Sequence, residues 1–179
     1  MAWNIENYIP LVKWHGFNTN KPASFGSTVS FATAPTGPKQ ASVLSGQAST
    51  VTLTAAQSGY TALFDSAAGI VYTLPAPVVG MTFDFIVVTT ITSNAAKVIT
   101  NTGTVLLIGD IFTTATDSSN ATKGWVGNGS SHIAVSMNGT TTGGYQGAIL
   151  QFKCVSSTLW EVSGSTPATG TVATPFSTS

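Results

Sequence analysis

Arginine is absent from this chain, and charged residues of either sign are scarce. Six lysines balance six acidic residues, and charged residues make up 7% of the 179 positions, against a usual share of about 25%. Nucleic-acid binding normally requires a basic patch, and so does binding to an anionic membrane surface. The neutral composition therefore argues against nucleic acid and membranes as partners.

Cysteine and long apolar runs are scarce as well. Cys154 is a lone cysteine that cannot form an internal disulfide, which is typical of a reducing compartment. The longest apolar runs, at 85–88 and 105–108, are much shorter than the roughly 18 residues of a membrane-spanning helix. The first residues carry neither a basic segment nor the apolar stretch of a signal peptide. We expect a protein that is made in a cytoplasm and is not embedded in a membrane.

Histidines are too few to support an obvious catalytic group. His15 lies in a segment rich in aromatic residues, and His132 has no acidic neighbour in the sequence. Nucleophilic catalysis needs a base beside the nucleophile and a third group that orients the base. No G-x-S-x-G motif and no phosphate-binding glycine loop occurs.

Acidic residues are placed as turn caps and surface charges. Asp65, Asp110 and Asp117 lie in turn-like or polar stretches, where capping is their ordinary role. Asp84 and Glu161 are expected on the solvent faces of strands. We therefore predict no enzyme activity, no catalytic residue, no metal site and no cofactor.

Large apolar side chains are concentrated in residues 1–21, where Pro10 would interrupt a helix. We predict an extended arm that anchors the protein to a partner, because aromatic anchors carry much of the energy of interfaces. In the alternative, these side chains pack onto the chain's own folded domain. The predicted binding residues of the arm are Trp3, Ile5, Tyr8, Ile9, Leu11, Val12, Trp14 and Phe17.

A Ser-, Thr-, Ala-, Gly- and Pro-rich stretch follows the arm and has the composition of a linker. We assign residues 1–49 to the arm and linker and expect 22–50 to be disordered in the free protein. The chain after residue 164 is again rich in Ser, Thr, Pro and Ala. We expect residues 165–179 to form an exposed or partner-bound tail.

Residues 50–164 carry repeated strand-length runs of β-branched and aromatic residues, separated by turn signals such as Ser58-Gly59 and Asn138-Gly139. This pattern predicts an all-β domain, either an antiparallel, jelly-roll-like β-sandwich or a small barrel. Residues 112–131 are predicted to form a long loop. The alternation at 81–86 places Met81, Phe83 and Phe85 on the core face. The predicted strands are 50–54, 60–64, 70–74, 81–89, 96–100, 104–108, 132–137, 148–155 and 159–163.

Four segments resemble a domain that is widespread among tailed-bacteriophage structural proteins. They are V-T-L-T-A-A-Q-S-G at 51–59, A-A-G-I at 67–70, T-L-P-A-P-V-V-G-M-T-F-D-F at 73–85 and W-E-V-S-G at 160–164. Members of this group are similar to head decoration, or capsid cement, proteins. The resemblance spans residues 50–164 and provides no catalytic residues.

The resemblance implies a virion structural protein on the capsid exterior. It would bind the major capsid protein, associate with itself as a homotrimer and stabilise the shell. The long aromatic arm departs from a plain decoration domain. A second hypothesis is a receptor- or carbohydrate-binding module of a tail fibre or head fibre, with Trp125 and Tyr145 on loops as stacking platforms for sugar rings.

Overall fold

The computed structural model of the chain describes residues 42–93, 96–117 and 121–179, and it builds them almost entirely from β-strands. A 3-10 turn at Ala55–Gln57 is the one helical element in these ranges, so none of them contains a helix long and apolar enough to cross a membrane. The strands are β1 (Val43–Leu44), β2 (Thr50–Thr52), β3 (Tyr60–Phe64), β4 (Val71–Thr73), β5 (Thr82–Val87), β6 (Ala96–Ile99), β7 (Leu106–Ala115), β8 (Lys123–Asn128), β9 (Ala134–Met137), β10 (Ile149–Ser156), β11 (Leu159–Ala168) and β12 (Phe176–Ser177).

The strands form two sheets. The seven-stranded sheet has the order β1-β3-β5-β10-β11-β7-β8, and the five-stranded sheet has the order β12-β9-β6-β4-β2. Buried side chains from both sheets form one hydrophobic core. The predicted all-β sandwich is confirmed.

From β1 to β6 the chain alternates between the sheets. In the seven-stranded sheet β1, β3 and β5 are parallel neighbours, and in the five-stranded sheet β2, β4 and β6 are parallel neighbours. The 3-10 turn marks one of these crossings, where the Thr54 N–H donates to Gln57 Oε1 at 2.8 Å. We call residues 43–99 the wound part, because consecutive strands in it lie in different sheets and enclose the core between them.

From β7 onward, two pairs of consecutive strands also pair with each other in space. β7 pairs antiparallel with β8, and β10 pairs antiparallel with β11. The two hairpins are joined by a parallel ladder between β7 and β11 that runs from Leu106 and Leu159 to Ala115 and Ala168. We call residues 106–177 the hairpin part. It meets the wound part where β10 pairs with β5 and where β9 pairs with β6.

Aromatic side chains occupy the middle of the core. Phe85 lies 5.4 Å from Tyr72 and 5.4 Å from Phe152 between ring centroids, and Phe64 meets Tyr72 edge-on at 5.1 Å. Edge-to-face and tilted contacts of this kind add to the hydrophobic gain of burying the rings. Phe83 and Phe85 are each 1% exposed. The predicted core face of β5 is confirmed, and Met81 just before it is buried as predicted.

Two loops of the same construction flank β9. The Asn128 side-chain oxygen accepts the backbone N–H of His132 at 3.1 Å, and the Asn138 oxygen accepts that of Thr142 at 3.0 Å. In return, the Asn128 N–H donates to His132 Nδ1 and the Asn138 N–H donates to Thr142 Oγ1. Gly129 and Gly139 follow the asparagines with positive φ. Each Asn-Gly pair is therefore held in a closed turn.

Strand directions differ from the prediction. The sheets are mixed, since parallel pairs occur in both, and neither sheet closes on itself within the described residues. The barrel alternative is therefore wrong, and the antiparallel arrangement holds for the two hairpins, for the pairs β10–β5 and β9–β6 that join the two parts, and for β12–β9. The Gly-containing turns at Gly59 and Gly80 lead from one sheet to the other instead of reversing the chain within a sheet.

Three predicted irregular segments contain strands. The predicted loop at 112–131 holds the last four residues of β7 and all of β8, because its Thr and Gly residues are paired in a ladder. The tail at 165–179 was predicted to be exposed or partner-bound, and the exposed alternative is wrong: the segment continues β11 and forms β12, with Val172 and Phe176 each 4% exposed. Val43–Leu44 in the predicted linker forms β1. The arm lies outside the described residues.

A candidate interaction surface on the seven-stranded sheet

The eight binding residues predicted in the arm, from Trp3 to Phe17, lie outside the described residues, so the arm stays a prediction. The described titratable groups are scattered. Among them, no three His, Cys, Asp or Glu side chains come together in a group that could hold a metal ion. His132 stacks on Phe176 at 5.3 Å with an angle of 10° between the rings. It acts as a structural side chain at the end of the Asn128 loop.

Burial controls the chemistry of the Tyr72 hydroxyl and the Cys154 thiol. The Tyr72 hydroxyl donates to the Leu63 carbonyl at 2.7 Å, and burial together with the nearby Asp65 charge raises its pKa well above the usual value. Burial also raises the pKa of the Cys154 thiol, which lies 3.1 Å from the Ser156 carbonyl oxygen that accepts its hydrogen bond. Thiolates are the reactive form of cysteine. Both groups are therefore inert parts of the core.

An apolar row crosses the outer face of the seven-stranded sheet. Cross-strand registers place Leu63 beside Ile86, Ile86 beside Ile149, and Phe112 beyond Ser165. Neighbouring strands are about 4.8 Å apart, so the row from Leu63 to Phe112 extends about 19 Å. Ile149 is 53% exposed and Phe112 is 54% exposed. We call these four side chains, Leu63, Ile86, Ile149 and Phe112, the outer row.

Polar residues occupy the next row of the same face. Asp84, Gln151, Ser163 and Asp110 lie side by side on consecutive strands, and Gln151 Nε2 donates to Asp84 Oδ1 at 3.0 Å. Apolar interface centres with polar surroundings are the usual anatomy of protein contact sites. The outer face of this sheet has that arrangement.

Beside β8, the outer face has an open depression with a volume of about 490 Å³. Its lining includes Phe112, Gly124, Val126 and Asp110. A Cβ atom added at Gly124 would meet the Phe112 ring at 3.4 Å, so the ring lies over the glycine and leans toward β8. Val126 is 70% exposed, the most exposed of the large apolar side chains that the structure describes.

Trp125 belongs to the other face of β8. It is half-buried against the core, and its Nε1 is buried with no hydrogen-bond partner among the described residues. The Lys123 ammonium lies 5.8 Å from the centre of its ring. Trp125 was predicted to stand on a loop as a sugar platform, but it lies in a strand and its ring packs inward. Tyr145 lies on a loop between β9 and β10, as predicted, and is half-buried.

A second depression, of about 310 Å³, lies beside β12. Lys97 Nζ crosses it to reach the carbonyl oxygen of Ser179 at 2.7 Å, and Asn138 lies on its wall. Most of its lining residues are serine, threonine or asparagine. It lacks the exposed apolar side chains of the outer row.

Sequence reasoning missed the outer row because it assigned both faces of only one strand, at 81–86, and did not compare the outward residues of neighbouring strands. A usable signal is present in β10, where alternation places Leu150, Phe152 and Cys154 inside. Ile149 and Val155 then fall on outward positions, although both are apolar. Compared with protein-family models, with curated proteins and with solved structures, the chain matches none of them.

Proposed function

We propose that this chain is a virion structural protein that decorates a bacteriophage capsid and stabilises it by binding the lattice of the major capsid protein. The supporting observation is the outer row, which sets apolar side chains across a broad sheet face with polar neighbours, Ser165 lying between Ile149 and Phe112. Exposed apolar patches on folded domains mark protein contact sites. The resemblance of residues 50–164 to phage structural domains supplies the class of partner.

The resembling segments support the proposal through the fold. Leu53, Ile70, Leu74 and Phe83, which come from three of these segments, are all buried in the core. They define how the domain packs, while the partner surface lies on other residues. The arm is proposed as a second contact, because burying one large aromatic side chain is worth about 2 to 3 kcal/mol.

Binding to empty capsids of the parent virus, scored as copies per particle, tests the proposal. The full chain is compared with a Trp3→Ala/Trp14→Ala variant and with Ile149→Lys, which places a charge in the outer row. Phe31→Ala and Val79→Lys serve as matched controls, since Val79 is 68% exposed outside the outer row. We expect the intact chain and both controls to reach a copy number that follows the number of capsid sites.

Loss of binding in the tryptophan variant identifies the arm as the anchor, and loss in Ile149→Lys identifies the outer row. An intact chain that leaves capsids unoccupied overturns the proposal. The homotrimer, the capsid-exterior location and synthesis in the cytoplasm of the host belong to this proposal. Copy number in threefold sets on the lattice would support the trimer.

The depression beside β8 favours a second candidate, a receptor- or carbohydrate-binding module of a tail fibre or head fibre. The half-exposed Phe112 ring could stack on a sugar ring, and the Asp110 carboxylate in the same lining could accept hydrogen bonds from the sugar hydroxyls. Binding to an array of bacterial surface glycans, compared between the intact chain and Phe112→Ala, tests it. A few copies per particle, with glycan binding that depends on Phe112, would favour the fibre module over the decoration protein.

A further inference from the structure

Among the described strands, β8 is an edge of the seven-stranded sheet, with β7 as its one neighbour. In the β7–β8 ladder, the Gly129 N–H donates to the Leu107 carbonyl, which sets the alternation of the strand. Backbone groups of alternate residues in a strand point to opposite sides. The N–H and C=O groups of Gly124 and Val126 therefore point away from β7, and no described residue pairs with them.

Other edges of the two sheets offer much less backbone. β1 and β12 contain two residues each and β2 contains three, whereas β8 contains six. Natural sheets usually protect long edges with charges, prolines or bulges, because an open edge is a template for another strand. β8 has Lys123 at its first position and no proline, and Val126 is exposed at its middle. This edge is suited to receive a further strand.

The apolar side chains next to the edge complement each other. Gly124 has no side chain, and the Phe112 ring lies over it. Two positions along the same strand, Val126 projects freely on the same face. A Val126 side chain set opposite Gly124 would contact the Phe112 ring and fill the depression beside it. The edge thus contains both the projecting group and its receiving site.

We propose that two copies of this chain pair through β8 in an antiparallel, two-fold symmetric arrangement, with Gly124 of each copy opposite Val126 of the other. This register uses every outward group of both residues and forms four backbone hydrogen bonds. The Asn128 N–H is already donated to His132 Nδ1 at 3.2 Å, so a register that needs it as a donor is disfavoured. Lys123 of each copy lies opposite Gly127, so like charges do not face each other.

The pairing would extend one sheet continuously across two molecules. It does not depend on the proposed function, because it is a property of the isolated protein. If the decoration role holds, it would be a contact between neighbouring copies in addition to the contacts with the shell. Binding of capsids and pairing of β8 can therefore fail separately.

Mass measurement by analytical ultracentrifugation over a range of concentrations tests the proposal on the full chain. Val126→Pro removes one outward N–H from each copy, and proline is tolerated on an edge strand where the N–H faces solvent. Val126→Thr keeps the N–H and the β-branched shape, and it serves as the matched control. We expect the limiting mass of the intact chain and of Val126→Thr to be twice that of Val126→Pro.

Disulfide trapping tests the register and does not require the proline variant to fold. In a hydrogen-bonded antiparallel pair, opposed Cα atoms are about 5.5 Å apart, within disulfide range. A mixture of Gly124→Cys and Val126→Cys chains should cross-link faster than either chain alone. A limiting mass unchanged by Val126→Pro, or equal cross-linking in the mixture and in the separate chains, overturns the proposal.

Discussion

The wound part and the hairpin part reach the same sandwich by different routes. In the wound part, β1 pairs with β3 and β3 with β5, so each strand meets a neighbour only after the chain has crossed to the other sheet and returned. In the hairpin part, β7–β8 and β10–β11 pair directly along the chain. Non-local contacts cost more loop-closure entropy and form more slowly than local ones. We therefore expect the hairpins to form first and to provide β10 as the template for β5.

Substitutions in the core at the seam between the two parts, where β5 pairs with β10, should lower the free energy of unfolding the most. Phe85 contacts Tyr72 of the wound part and Phe152 of the hairpin part. Phe85→Ala should lower the free energy of unfolding by about 3 to 5 kcal/mol, measured by urea denaturation. Phe85→Leu, which keeps most of the volume, should cost about 1 kcal/mol. A loss in Phe85→Ala of only about 1 kcal/mol, no larger than the loss expected for Phe85→Leu, would mean that packing of this side chain does not join the parts.

Glycines of the two parts should respond differently to a methyl group. Gly109 of β7 has φ +103°, and a Cβ there would overlap the Val162 carbonyl, whereas Gly80 has φ +92° with open space around it. Gly109→Ala should cost about 3 kcal/mol, from strain and backbone overlap together, and Gly80→Ala about 1 to 2 kcal/mol from strain alone. Thermal unfolding of both variants measures this. A larger loss at Gly80 would contradict the close strand contact at Gly109.

Substitution of Tyr72, inside the wound part, should cause a smaller loss of stability. Its hydroxyl crosses between the sheets to the Leu63 carbonyl. Tyr72→Phe removes the donor and leaves a buried acceptor, at a cost of about 1 to 2 kcal/mol at neutral pH. Urea denaturation at pH 7 measures the loss, and Tyr60→Phe on the half-exposed first residue of β3 is the control.

The pH dependence of the same residue has a defined sign. Because the pKa of Tyr72 is raised in the folded state, the native protein retains a proton that the unfolded chain releases above about pH 10. The contribution of Tyr72 to stability is therefore complete below that pH and falls as the pH rises further. Tyr72→Phe should lose less stability than the intact chain between pH 9 and 11. Parallel pH profiles for the two proteins would rule out this contribution.

Substitutions on the solvent-exposed side of the same seam should lower the free energy of unfolding the least. Gln151 of β10 donates to Asp84 of β5 on the exposed face. Gln151→Ala should lower the free energy of unfolding by about 0.5 kcal/mol or less, since exposed cross-strand pairs contribute little. Ser163→Ala in the same row is the control for the change of surface. A loss near that of Phe85→Ala would place the strength of the seam outside the core.

The sequence predicted the side chains of the core better than it predicted the strand partners. Alternation along β5 was enough to place Phe83 and Phe85 inside, because the side-chain period of a strand is local. Parallel pairing of β1, β3 and β5 has no local signal, since a turn such as Ser58-Gly59 reads the same whether the chain reverses in its sheet or crosses to the other. Antiparallel hairpins were therefore predicted where the chain winds.

Short or polar strands were missed for a different reason. Val43–Leu44 is too short to show alternation, and β8 carries Gly124 and Gly127 in a segment of Thr, Ser and Asn that reads as a loop. The outer row and the edge depend on which face of each strand is covered, and this is decided by the opposite sheet. The arm remains a sequence-based prediction.

The Asn-Gly turns at 128–129 and 138–139 bear on how the protein ages chemically. An asparagine before glycine deamidates when the glycine backbone nitrogen attacks the side-chain amide carbon and expels ammonia, which forms a succinimide that water opens to aspartate or isoaspartate. This attack needs a freely turning side chain. Here backbone N–H groups hold both amide oxygens, while the amide nitrogens of Asn128 and Asn138 donate to Ser131 and Thr141. The folded turns therefore protect the asparagines, and conversion to aspartate should accumulate only as fast as these loops open. The content of aspartate at the two positions would record the time that each molecule has spent with its loops open.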